Sequence, residues 1–204
     1  MKVNKKIHFV WLGPNEISKK DQGYIKSWVN MYEPLGFEIK IWRDKDAEEF
    51  DIYQSRKDEC YCWAQKADIL RVLIVNKYGG TYADTDIQSV KPFDDLMEKH
   101  DFIAGMEHPT QKVCCNGLFY AAEPGHPVLA VQEEAFKTRS MKGQANVTTG
   151  PVFLSEILYK HKTDKTGIYP RDYFHPRGYW ETNVNLKLRI TDNTRTIHFW
   201  NKSW

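Results

Sequence analysis

The sequence predicts an α/β fold, a sandwich with a mostly parallel central sheet, in a single domain spanning residues 1–204. Three observations predict it. Short apolar runs of strand character alternate with longer runs of helical period, the pattern of strands joined by helical crossovers. A helical run from Trp63 to Tyr78 is broken by Gly79-Gly80 and followed at once by a short apolar segment that ends in Asp84-Thr85-Asp86. The 204 residues, 41% hydrophobic and 27% charged, suit one domain with its own core rather than two small ones or a disordered chain.

Ile7 to Leu12 reads as a buried first strand, ended by Gly13-Pro14. A helix is expected over about Lys20 to Tyr32, with Trp28 and Val29 facing inward. Glu38 to Trp42 alternates polar and apolar residues and predicts a second strand. Short acidic helices are expected between Asp44 and Phe50. The run from Trp63 to Tyr78 predicts a helix whose apolar stripe carries Ala67, Leu70, Ile74 and Tyr78. Thr81 to Ala83 restarts the chain as a buried strand. Phe102 to Ala104 and Gly117 to Ala121 are further strand candidates. Pro127 to Thr138 and Val152 to His161 are further helices. In open sheets of this kind ligands bind at the carboxyl ends of the strands, which is where Trp11 and the Asp pair fall.

Composition narrows the function. A formal net charge of +2 gives no general electrostatic case for nucleic acid. No window approaches the roughly 20 apolar residues of a membrane span. The apolar stretch behind the basic Met1 to Lys6 is short and interrupted by His8, unlike a signal peptide. The expectation is a cytoplasmic protein, with at most a peripheral association with the inner membrane face through Lys2, Lys5 and Lys6. Cys60, Cys62, Cys114 and Cys115 lack the paired spacing of a zinc ribbon and are expected to be free thiols. The sequons at Asn146 and Asn201 carry weight only in a secreted protein.

Side chains alternate along a strand, so Asp84 and Asp86 are expected on one side at the strand's exit. Two carboxylates so close repel unless a cation lies between them. Carboxylate ligands beside a diphosphate favour a hard cation, Mg²⁺ or Mn²⁺. His198, in the aromatic segment from Thr196 to Trp204, is the best further ligand. Asp68 and Arg71, three apart on the long helix, form either a surface ion pair or a buried acid and base that hold sugar hydroxyls. Trp11 either stacks on a base or fills the core. Trp200 to Trp204 has the polar, aromatic character of a segment that closes over a ligand.

Together these pieces resemble glycosyltransferase family 32, the glycosyltransferases with a DXD sugar-binding region. The likeness is carried by Ala67-Asp-Ile-Leu-Arg71, Tyr78 to Asp86, Ile7 to Trp11, Thr196 to His198 and Ser203-Trp204. Asn116 to Pro127 and Thr149 to Pro151 fit as well. The opening and central motifs also resemble, more distantly, the glucosyltransferase domains of large clostridial toxins. Ala67 departs from the pattern, since many members have Ser there. The sequence stops at Trp204, so the acceptor-binding elements of longer members are expected to be missing.

The resemblance implies a GT-A fold, a nucleotide-sugar donor with UDP the expected carrier, and transfer with retention at the anomeric carbon. It implies that Trp11 stacks on the nucleobase and that Asp68 and Arg71 hold the donor sugar. Asp84 would touch ribose and a water on the metal, Asp86 would bind the metal directly and His198 would complete its shell, so that Asp84, Asp86 and His198 are the expected metal residues. Ser203 and Trp204 would contact the phosphate and the glycosidic oxygen, and Asn116 would approach the sugar. Asp68, Arg71, Asp86 and Trp204 are thus the expected catalytic set. The acceptor implied is a glycan or lipid-linked glycan in surface polysaccharide synthesis. Other expectations stay open: a toxin-like protein glycosyltransferase, a non-catalytic nucleotide-sugar binding module, and a metal-dependent phosphohydrolase.

Overall fold

The computed structural model describes residues 2–108, 110–181 and 185–201, leaving aside the side chain of Leu188. Ser203 and Trp204, named above as phosphate and oxygen contacts, lie outside the described residues. In chain order the elements are β1 (Lys6–Val10), α1 (Lys19–Tyr32), β2 (Glu38–Trp42), α2 (Asp51–Arg56), α3 (Trp63–Tyr78), β3 (Gly80–Ala83), β4 (Ile87–Ser89) and α4 (Asp94–Met97). They continue with β5 (Phe102–Met106), β6 (Cys114–Ala121), α5 (Pro127–Phe136), α6 (Ala145–Thr148), α7 (Pro151–His161), β7 (Thr166–Tyr169), α8 (Arg171–Phe174) and β8 (Thr196–His198).

Six strands form one sheet in the order β2-β1-β3-β6-β5-β7. The pairs β1–β2, β1–β3 and β5–β7 are parallel, and β6 runs against both of its neighbours. The sheet is therefore mostly parallel, as expected, with one reversed strand that sequence pattern does not disclose. A second, two-stranded sheet pairs β4 with β8.

Alternation along the strands sorts the core onto two faces. Val10, Tyr82 and Phe119 pack with Leu70, Ile74, Leu129 and Leu154 of α3, α5 and α7 on one face. Ile7, Phe9, Leu118 and Tyr120 pack with Trp28 and Tyr32 of α1 and with Leu96, Met97 and Phe174 on the other. Most helices fall where the sequence predicts them. The stripe on α3 is wider than predicted, because Asp68 through Val75 are buried without a break. A helix covered all round carries little periodic signal.

The turn from α3 into β3 places the functional residues. Gly79 has φ +65° and ψ −167°, a conformation essentially reserved for glycine. Its N–H still donates to the Val75 carbonyl at 2.8 Å. Gly80 has φ +90°, and a Cβ there would come within 2.5 Å of the Lys6 carbonyl oxygen. His8 fastens this turn from β1. Trp42 donates its indole N–H to His8 Nδ1 at 3.2 Å, so the ring is the Nε2–H tautomer, donating to the Gly79 carbonyl at 2.9 Å. Burial lowers the pKa of His8 to about 4 and keeps it neutral.

Candidate metal and donor site

The carboxyl ends of β1 and β3 emerge together, since the strands are parallel with His8 opposite Tyr82. Trp11 leaves β1 half-buried, packed among the apolar residues under α1, with its indole N–H donating to the Asn15 carbonyl. Asp84 leaves β3 and continues its ladder by one bond, from its N–H to the Gly117 carbonyl at 2.8 Å.

Asp84 and Asp86 do converge, but the pleat is not the cause. The strand ends at Ala83, and a tight turn follows in which the Ile87 N–H donates to the Asp84 carbonyl. The turn aims both carboxylates at His198. That histidine arrives because β8 pairs with β4 in a register that sets Ile87 opposite His198. His198 Nε2 stands 3.1 Å from Asp86 Oδ1 and 4.0 Å from Asp84 Oδ2. One potential ligand atom from each of the three residues lies within 4.8 Å of the others. Two carboxylates and an imidazole are a donor set that suits Mn²⁺ or Mg²⁺. Gly117 gives Asp84 its room, because a Cβ there would lie 2.4 Å from Asp84 Oδ2.

Behind Asp84 lies a buried charge network. Arg71 Nη2 is 3.2 Å from both Asp68 Oδ1 and Asp84 Oδ1. Its Nη1 donates to the Asn116 carbonyl at 2.8 Å, its Nε to the Ala67 carbonyl at 3.3 Å, and the guanidinium lies 4.5 Å over the Tyr82 ring. All three of its nitrogens are engaged by protein. The surface ion pair left open by the sequence is therefore set aside, since both side chains are at most 7% exposed. Asp68 also accepts from the Asn116 amide at 2.7 Å and the Thr149 hydroxyl at 2.8 Å. Tyr82 donates its hydroxyl to Asp84 Oδ1 at 2.6 Å.

Electrostatics separate the three acids. Burial pushes Asp68 up to about 6 against the pull of Arg71 and Thr149. Burial likewise raises Asp84, with Arg71 opposing. At Asp86 burial acts in the same direction but is overcome by His198 and by the Asn201 backbone N–H, which donates to Oδ2 at 2.7 Å. Asp86 is thus held ionised beside an acid that resists ionisation.

Cys115 carries no sequence signal for this site, and Trp200 and Asn201 are marked by the sequence only as part of a segment that closes over a ligand. Trp200 stacks on His198, Cys115 Sγ lies 3.8 Å from His198 Nδ1, and the Asn201 side chain bonds Asp21 of α1 at 2.9 Å. Each belongs to the packing around β8, which the sequence did not foretell as a strand.

The fold defines the class: this is the α/β architecture of the GT-A glycosyltransferases. Residues 18–103, which include Asp68, Arg71, Asp84 and Asp86, match the family model described as glycosyltransferase sugar-binding region containing DXD motif. The resemblance stated from the motifs is borne out. The chain is 28% identical over 184 residues to inositol phosphoceramide mannosyltransferase 1 of Schizosaccharomyces pombe, covering 78% of this chain and 52% of that protein. It therefore spans about half the length of that relative. Among solved structures, PaToxG glycosyltransferase superposes with a TM-score of 0.58 at 18% identity, over 78% of this chain and 70% of the other. A glycosyltransferase involved in the glycosylation of the major capsid of PBCV-1 gives 0.53 at 10% identity, over 97% and 93%. At these identities the two structures speak for the fold alone.

Proposed function

We propose that residues 1–204 act as one catalytic domain, a retaining, metal-dependent glycosyltransferase that moves a hexose from a nucleotide-sugar, a UDP-sugar first, to a glycan or lipid-linked acceptor in surface polysaccharide synthesis. The observation that carries the proposal is the convergence of Asp84, Asp86 and His198 beside the buried Asp68–Arg71–Asn116 network. A name that couples a mannosyltransferase with a lipid acceptor in one relative supports a hexose and a lipid-linked acceptor. Among the described residues no helix is long and apolar enough to cross a membrane. A cytoplasmic location, with a peripheral hold on the inner membrane face, fits the proposal.

Asp84, Asp86 and His198 would hold Mn²⁺ or Mg²⁺. When bound, such an ion neutralises the diphosphate leaving group as the bond to the sugar breaks. Trp11 stacks on the base at the carboxyl end of β1. Asp68, fixed by Asn116 and Thr149, accepts hydrogen bonds from donor-sugar hydroxyls. Arg71 serves as a positioning residue that sets Asp68 and Asp84, its nitrogens being already engaged. Ser203 and Trp204 are proposed for the phosphate and the glycosidic oxygen.

The test is hydrolysis of a panel of UDP- and GDP-hexoses with and without Mn²⁺, comparing wild type with Asp86→Asn. Hydrolysis of one donor that needs both Mn²⁺ and Asp86 is expected. Equal turnover in Asp86→Asn would overturn the proposal.

A further inference from the structure

His175 follows α8 and is fully buried, yet neither of its ring nitrogens has a hydrogen-bond partner among the described residues. Burying an imidazole in that state costs free energy. The fold nonetheless makes room for it: a Cβ on Gly105 of β5 would come within 3.0 Å of the His175 ring.

The space beside His175 holds two more ligand side chains. Cys115 Sγ, His175 and His198 each present one ligand atom within 4.8 Å of the others, and all three residues are buried. The sulfur is already oriented, since the Gly117 N–H donates to it at 3.3 Å. His198 is shared between two surroundings. Its Nε2 looks toward Asp86, while its Nδ1 lies 3.8 Å from Cys115 Sγ.

We propose that Cys115, His175 and His198 Nδ1 form a second, inner metal site for a borderline-soft divalent cation, Zn²⁺ above all. A thiolate with two imidazoles selects zinc-like ions, whereas the Asp84–Asp86 pair on the other side of His198 suits harder ones. The two sites differ in ligand class and share a ring, which ligates two ions at once only as an imidazolate, its remaining N–H proton released to solvent; otherwise one site is filled at a time. Binding would deprotonate Cys115 and give one of the two unpartnered His175 nitrogens a partner. An ion there would join β6, the segment after α8 and β8.

Co²⁺ is the probe, because cobalt bound to a thiolate shows a sulfur-to-metal charge-transfer band in the near ultraviolet. The full chain titrated with Co²⁺ is expected to develop this band, and Zn²⁺ to abolish it by displacement. The band should vanish in Cys115→Ser and weaken in His175→Gln. It should persist in Asp86→Asn, which separates this site from the donor site. A variant with Cys60, Cys62 and Cys114 all changed to Ser keeps Cys115 as the lone thiol and should retain the band. This last arm guards against misfolding of Cys115→Ser. A wild-type chain without the band, or a band lost from the lone-thiol variant while it remains folded, overturns the proposal.

Discussion

The indole of Trp200 lies face to face on the imidazole of His198, with ring centroids 3.6 Å apart and planes 20° from parallel. Trp200 makes this contact from φ +56°, and it is the one non-glycine among the described residues with positive φ. A bulky residue in that region is held at a cost of about 1–3 kcal/mol and persists only where its surroundings insist on it. Its indole N–H donates to the Arg177 carbonyl at 2.8 Å, which fixes the ring over His198.

Trp200 should therefore orient His198 for the metal. Trp200→Ala is expected to weaken Mn²⁺ binding about 10–100-fold, the usual range for removing a partner behind a ligand. Trp200→Phe should recover part of the loss by restoring a stacked ring. Electron paramagnetic resonance titration of Mn²⁺ measures both; unchanged affinity in Trp200→Ala would refute the orienting role.

Gly117 stands opposite Asp84 with no space for a methyl group. Gly117→Ala should cost about 1–3 kcal/mol by overpacking. More tellingly, it should push Asp84 away from His198 and lower Mn²⁺ affinity in protein that is still folded. Denaturant unfolding and Mn²⁺ titration on one sample separate the two effects.

Asp68 is raised to about 6 chiefly by burial. If its carboxylate binds donor hydroxyls, kcat/KM for donor hydrolysis should climb as pH rises through about 6 and level off above it. Stability runs the other way. A folded pKa above the unfolded one means that folding takes up a proton between about 4 and 6, so the stabilising contribution of Asp68 fades as pH rises across that window. Asp68→Asn should abolish the limb near 6 in whatever activity remains. A limb that stays at 6 in Asp68→Asn belongs to another group.

His8 predicts a stability change of opposite sign. Its folded pKa of about 4 lies below its unfolded value of 6.5, so unfolding takes up a proton between them. The chain should lose stability as pH falls from about 6.5 toward 4, by roughly 3 kcal/mol at most. His8→Gln should flatten that slope in urea titrations taken across the window. An equal slope in wild type and variant would place the linkage elsewhere.

The local parts of this architecture were legible because their signals are local. Glycine pairs mark a turn, alternation marks Glu38–Trp42, and helical spacing marks α1 and α7. The Asp pair and its helix were readable for the same reason. What escaped was long-range. β6 reads like any apolar strand, and its reversed direction is decided by partners far away in sequence. The strands β4 and β8 have three residues each, too few for a period to show. The carboxylates were expected to align by strand pleat and instead align through a turn. The buried environment of Asp68 and Arg71 was undecidable, since an i, i+3 acid–base pair reads alike on an exposed helix and a covered one. His175 gave no signal at all, because its setting depends on the missing side chain of Gly105.

The pairing of β4 with β8 also fixes when the site comes into being. The hydrogen bond from the Asn201 N–H to Asp86 spans 115 residues. At about 5–20 residues per second, translation needs roughly 6 to 23 s to pass from one partner to the other. During that interval the nascent chain carries the two aspartates without the histidine that faces them. The emerging polypeptide thus has only half a grip on a cation, and the pocket matures only once β8 has been made.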